Sequence, residues 1–328
     1  MSAPHLVWVR AMRAKAYAAA WDLTAQAMAA RRPEARDDPA LPYHLRWVWD
    51  GRPFDGRDVL VRCYHGLGDT LQFVRFLPAL RARAASVVLE VQPRLIPLLT
   101  GRGLADRLHP FDPARPLPPA ACDLEIMELP QALRVRPDGA VPPYLSVQPA
   151  PLPLGTLGLC CQSGEWDSAR SLTPELLAPL CAEAPCITLD VAPSPLAVLN
   201  PAGCPLDLMQ TAALVAGCAL VVTVDTMIAH LAGALGRPVW LLLCHEPDWR
   251  WTPGAPDSPW YPTMRLFHQP EPGDWAGAVG ALYADLGKFI AKERQDHGYG
   301  NRVPAHPGVV GRTARQDHHP RDQAGAHR

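Results

Sequence analysis

The sequence predicts an α/β protein of two domains, each a parallel sheet covered by helices, facing each other across a cleft. Three observations predict it. Apolar, β-branched runs alternate with amphipathic stretches from Asp58 onward, and the alternation restarts after a proline-rich segment near residue 150. The length of 328 residues also exceeds what one hydrophobic core usually fills. The boundaries read as a helical segment over 1–50, a first α/β domain over 51–150, a second over 151–296, and a disordered tail over 297–328.

Each element has its own signal. Residues 13–32 are Ala-rich with apolar positions at helical spacing, which predicts one or two helices. DVLVRCY (58–64) is a strand, HGLGD (65–69) a glycine loop, and TLQFVRFLPALRARA an amphipathic helix. SVVLEVQ (86–92) is a strand, PRLIPLLTGRG a helix with Pro at its start and Gly at its end, and ACDLEIMEL (121–129) continues the alternation. The prolines of 141–155 predict an extended connector. Beyond it, TLGLCCQ, CITLDV, ALVVTVD and PVWLLLC read as strands, separated by helices that include TPELLAPLCAEA, PLDLMQTAALVAG and TMIAHLAGALG. A last helix ends near Gln295, after which large apolar residues almost vanish.

Composition excludes several classes. Lys+Arg 31 against Asp+Glu 32 leaves no strong field to attract nucleic acid or an anionic membrane. Nine cysteines without paired CxxC spacing read as buried, reduced thiols, and no ligand pairs at zinc spacing are present, so no metal is expected. No apolar run has the length of a signal-peptide core or a membrane span, which predicts a cytoplasmic protein.

In a doubly wound sheet, ligands bind beyond the carboxyl ends of the strands, so the loops there hold the candidate site. In HGLGD, Gly66 and Gly68 let the backbone approach a ligand, and Asp69 opens a helix. Asp69 is either an N-terminal cap or a general base facing the cleft, and the two roles are compatible. In QSGEWDSARS (162–171), Ser163 and Gly164 offer hydroxyl and backbone contacts and Arg170 a cation, a set that suits a diphosphate. The plain alternative is a solvated loop. Asp225, Thr226 and Met227 open a short helix whose N–H groups and dipole form an anion site, closed downstream by Gly236 and Pro238. His230 is either a ligand contact or a satisfied half-buried histidine. Arg250 stands out in the long loop 245–262, where Trp249, Trp251 and Trp260 are equally readable as packing.

The strings CYHGLGDTLQFVRFLPAL (63–80) and VDTMIAHLAGALGRPVWLLL (224–243), followed by PDWRW (247–251) and DSPWYP (257–262), resemble the heptosyltransferase-like glycosyltransferases of family 9. The resemblance is closest to members that stand behind tetratricopeptide repeats, and it spans about residues 58–295. It implies the GT-B architecture of two Rossmann-like domains. It also implies that Asp69 is the base and that a nucleotide sugar binds in the second domain near Ser163, Gly164, Arg170, Asp225, Thr226 and Met227. Pro78, awkward inside a helix, has a counterpart in the family. One departure matters: WDSAR (166–170) stands where heptosyltransferases usually carry a lysine, so donor sugar and base do not carry over.

These readings predict transfer of a sugar from a nucleotide-diphosphate donor to an acceptor hydroxyl, with inversion and without a metal or other cofactor. The acceptor is a glycan, a lipid-linked saccharide or a protein. The rival readings are an inert sugar-nucleotide or protein-interaction module and a GT-B-like nucleotide-sugar epimerase.

Overall fold

The computed structural model describes residues 3–136, 139 and 142–296. The tail expected from 297 lies outside the described residues. Two helices come first, α1 (Ala3–Arg13) and α2 (Tyr17–Ala29). Helix was expected from about residue 13, yet α1 forms well before it. The reason is burial: Val9 and Met12 on α1, with Tyr17, Ala20 and Trp21 on α2, point one face of each helix into the core.

The first sheet contains β1 (Asp58–Arg62), β2 (Ser86–Val91), β3 (Arg107–Pro110) and β4 (Cys122–Glu125) in the order β3-β2-β1-β4. The second contains β5 (Leu157–Cys160), β6 (Cys186–Thr188), β7 (Leu220–Val224), β8 (Val239–Leu243) and β9 (Met264–His268) in the order β6-β5-β7-β8-β9. Every pairing between these strands is parallel. The central strands β7 and β8 are buried at every position, as a parallel sheet covered on both faces requires.

Helices α3 (Leu67–Phe73), α4 (Leu77–Arg81), α5 (Ile96–Leu99) and α6 (Leu129–Leu133) accompany the first sheet. With the second go α7 (Leu180–Glu183), α8 (Leu208–Gly217), α9 (Met227–Ala234) and α10 (Trp275–Asp296). The single helix expected after the glycine loop is two, separated by a 3-10 turn at Val74–Phe76. Pro78 lies in the first turn of α4, where a missing N–H leaves no bond unmade, and this resolves its awkwardness. Strands β3 and β9 were not anticipated. The first is a short, half-exposed edge, and the second ends what the sequence shows as loop.

Packing departs from one core per domain. One continuous apolar cluster runs from the first sheet through α3 and α9 to the near face of the second sheet, and includes Leu71, Phe73, Ile228, Leu231, Trp251 and Trp260. A second cluster fills the far face of the second sheet against α10. The connector is docked rather than extended free: the N–H groups of Tyr144 and Leu145 both donate to the Ala234 carbonyl, and that of Ala150 to Ala213. The nine cysteines are free thiols, buried except for the half-buried Cys244.

Candidate active site

Strand order reverses between β1 and β4 in the first sheet and between β5 and β7 in the second, and the crevice at such a point is where ligands bind. Side chains join across both crevices. At the first, His65 Nδ1 lies 2.9 Å from Glu125 Oε1. At the second, Arg170 Nη1 donates to the Asp225 carbonyl at 3.0 Å and lies 3.5 Å from its carboxylate.

The glycine loop and α3 bring the first domain into contact with the second. Gly66 caps α3, and its N–H donates to Asp69 Oδ2 at 3.0 Å. The N-cap position expected of Asp69 thus falls on Gly66, with Asp69 third in the helix and its carboxylate turned back on the cap, and Asp69 Oδ1 also accepts from Arg250 Nη2 at 2.5 Å. Arg250 is buried and grips three acceptors, the other two being Gln72 Oε1 at 2.6 Å through Nε and Asp248 Oδ1 at 2.8 Å through Nη1. Its guanidinium lies over the Trp249 ring, 4.5 Å from the centroid. Helix α3 meets α9 so closely that a Cβ on Gly68 would stand 3.0 Å from His230 Cδ2 and 3.3 Å from Met227 Cα. Only glycine permits that approach.

A cavity of about 570 Å³ opens over the carboxyl ends of the second sheet, lined by Asp167, Arg170, Asp225, His245, Glu246 and Asp248 among others. Carboxylates outnumber guanidinium on this wall. Burial raises the pKa of Asp225, and Asp248 adds to the rise, while Arg170 and Arg250 oppose it. For His65, burial acts to lower the pKa, but the contact and charge of Glu125, with Asp69, prevail and raise it. Arg250 is held charged: burial opposes its charge and Asp248 and Asp69 outweigh burial.

The residues named from sequence are only partly brought together. Asp69, Gly66, Gly68 and Arg250 converge at the seam between the domains, and Arg170 and Asp225 line the cavity. Thr226 and Met227 are half-buried, and Met227 backs onto Gly68 rather than the cavity. Ser163 turns inward, its hydroxyl donating to the Asp167 carbonyl at 2.6 Å and meeting Ser171 Oγ at 2.9 Å. Gly164 is exposed before the 3-10 segment Glu165–Arg170. His230 is buried, with Nδ1 3.0 Å from the Tyr261 hydroxyl and its ring stacked on Trp251, and burial drives its pKa well down. It is a core histidine at the interface, because α9 turns that face toward α3.

Sequence reasoning missed His65, Gln72, Arg75, Glu125 and Asp248. The signal for two of them was present: Gln72 and Arg75 follow Asp69 at three-residue spacing, polar positions on one face of an otherwise apolar stretch. Arg75 is buried, donating to the carbonyls of Gln72 at 2.7 Å and Trp260 at 2.6 Å and to the Tyr144 hydroxyl at 3.0 Å. The N-terminal helices reach the same seam. Trp8 packs edge-on against Trp249 at 5.0 Å, and Arg13 donates to the Pro247 carbonyl at 2.8 Å.

Two parallel α/β domains meeting at such a seam define the GT-B class. Solved structures agree: the glycosyl transferase family 9 protein of Veillonella parvula superposes with a TM-score of 0.52 at 12% identity, over 74% of this chain and 99% of that one. The ADP-heptose LPS heptosyltransferase II of E. coli gives 0.51 at 15% identity, over 72% of this chain and 99% of that one. At such identities the likeness establishes the fold. Within that class, residues 200–257, from before α8 into the loop after β8, match the family model of glycosyltransferase family 9 (heptosyltransferase). The resemblance to heptosyltransferase-like glycosyltransferases read from the sequence is thus shown. Among curated proteins, Protein FlbA of Caulobacter vibrioides is 35% identical over 86 residues, 26% of this chain but 14% of that protein's length. Among the described residues, no helix is long and apolar enough to cross a membrane, and no group of three or more His, Cys, Asp or Glu residues is placed to hold a metal ion.

Proposed function

We propose that the protein transfers a glycosyl group from a nucleotide-diphosphate sugar, bound in the cavity of the second domain, to an acceptor hydroxyl presented by the first. One observation carries the reading: the carboxylate at the tip of the glycine loop reaches across the seam to the loop that walls the donor-sized cavity. The carboxylates of that wall suit sugar and ribose hydroxyls as hydrogen-bond acceptors, and Arg170 suits the diphosphate.

In this mechanism Asp69 accepts the proton of the acceptor hydroxyl as its oxygen bonds to the anomeric carbon. The bond from that carbon to the phosphate oxygen breaks, and the electron pair leaves with the diphosphate. Attack opposite the leaving group inverts the anomeric centre. Arg170 counters the growing charge, with the dipole of α9 behind it and no metal required. The acceptor is a glycan, a lipid-linked saccharide or a protein.

The rival reading of an inert binding module has one observation in its favour: both Asp69 oxygens already accept, one from Gly66 N–H and one from Arg250. Incubation with a panel of nucleotide sugars, ADP-heptose first because the similar E. coli protein is an ADP-heptose LPS heptosyltransferase, decides between them by release of nucleoside diphosphate. Asp69→Ala is expected to abolish release while nucleotide binding persists. Release unchanged by Asp69→Ala would remove Asp69 as the base, and binding without release by the wild type would favour the module.

A further inference from the structure

Arg250 does not line the cavity, although Asp248, which it grips, does. One arm of the guanidinium therefore ends on the cavity wall and the other on the carboxylate proposed as base. The guanidinium carbon lies 4.5 Å from the centroid of the Trp249 ring, and Trp8 and Trp260 meet that ring edge-on, so the ring supports the cation from one side and leaves its hydrogen-bond partners exchangeable. Asp69 is a quarter exposed and Asp248 a third, whereas Arg250 is 8% exposed. The carboxylates are thus open to ligand from the cleft, while the cation between them meets a ligand only by giving up one of them.

We propose that Arg250 is a positioning residue that exchanges partners: it holds Asp69 while the cavity is empty and turns to the diphosphate when a nucleotide enters beside Asp248. This rests on the transferase reading and deepens it. While Arg250 holds Oδ1, that oxygen has less capacity to meet a substrate hydroxyl, although each carboxylate oxygen keeps a second lone pair. Releasing Arg250 restores that capacity only with donor in place, so the exchange orders the reaction, donor before acceptor. The neighbouring charges fit. On the cavity side Arg170 pairs with Asp167 and Asp225, and His65 leans on Glu125, so Asp69 and Asp248 are the anions bonded to Arg250, with Asp225 acting on it through charge alone.

The exchange makes Asp69 a competitor of the nucleotide. The test is calorimetric titration with ADP, and with UDP and GDP in parallel, of the wild type, Asp69→Asn, Arg250→Met and the double variant. Asn is isosteric and keeps the acceptor for Gly66 N–H but no charge for Arg250. Asp69→Asn is expected to bind the nucleotide about fivefold more tightly than wild type, and the gain is expected to vanish in the Arg250→Met background. Arg250→Lys, which keeps the charge but reaches fewer acceptors, serves if the Met variant does not fold, and there the gain is expected to shrink. Equal tightening in both backgrounds would mean simple repulsion between Asp69 and phosphate and would overturn the exchange, as would no tightening at all. Absence of heat with every nucleotide and every variant would instead overturn the donor site itself.

Discussion

A single methyl group at Gly68 tests the contact on which the seam is built. The added Cβ of Gly68→Ala would sit 3.0 Å from His230 Cδ2 and 3.3 Å from Met227 Cα, with Met227 N at 3.7 Å. Ordinary carbon contacts lie near 3.5–4.0 Å, so about half an ångström must be found. His230 cannot yield it cheaply, being bonded to Tyr261 and stacked on Trp251. Helix α9 cannot slide either, because Gly233 already lies against the Tyr261 ring with no room for a Cβ. Overpacking of this kind costs about 1–3 kcal/mol. The same half-ångström would displace Asp69, one residue on in α3, relative to the donor cavity, and misplacement on that scale lowers turnover by about tenfold. Thermal unfolding and nucleotide-release assays read the two effects. Gly66→Ala is the contrast: its Cβ meets only Asp69 Oδ2, at 3.2 Å, so turnover falls with little loss of stability. A Gly68→Ala protein with wild-type melting and wild-type turnover would refute the close packing of α3 on α9.

Two further perturbations separate charge from packing. Arg75→Ala removes a buried guanidinium that joins α3, the connector and the Trp260 loop, and leaves the Trp260 carbonyl and Tyr144 hydroxyl short of a donor; a loss of about 3 kcal/mol is expected in urea unfolding. Glu128 is raised from 4.5 to about 7 by burial, against the N–H groups of Glu125, Val48 and Trp49 that favour its charge. The folded state therefore keeps a proton that the unfolded chain has already lost between about pH 4.5 and 7, so stability falls as pH rises through that window. At about 1.4 kcal/mol per pH unit the loss reaches about 3 kcal/mol, and Glu128→Gln is expected to flatten it; identical pH slopes in both proteins would count against the assignment.

The fold was legible where one physical signal dominates. Buried parallel strands such as 220–224 and 239–243 must be apolar along their whole length, and that shows in any window of the sequence. The helix limits at Asp207 and Gly236 follow equally local rules: a carboxylate that accepts from Gln210 N–H, and a glycine at φ +67°. What stayed hidden depends on partners distant in the chain. Strand β9 forms because β8 offers an open edge, and α1 extends because Val9 and Met12 are buried on it, Met12 within the main core. The site divides the same way. Asp69 and the glycines announced themselves through loop chemistry, but the partners of Arg250 lie up to 181 residues away, and no periodicity records a contact of that kind.

The N-terminal helices follow from this argument as parts of the site rather than an appendage. Trp8 packs on Trp249, Trp249 supports the Arg250 guanidinium, and Arg13 and Thr252 tie α1 to the same loop through their carbonyl contacts. Trp21, on α2, donates at 3.0 Å to the Val135 carbonyl of the first domain. The pair thus bonds to both α/β units at once, from behind the loop that holds the cation. A chain lacking it would leave Trp249 exposed on one face and the loop 247–252 without its tether. The orientation of Arg250 toward Asp69 is therefore determined as much by residues 8 and 13 as by the strand that precedes it.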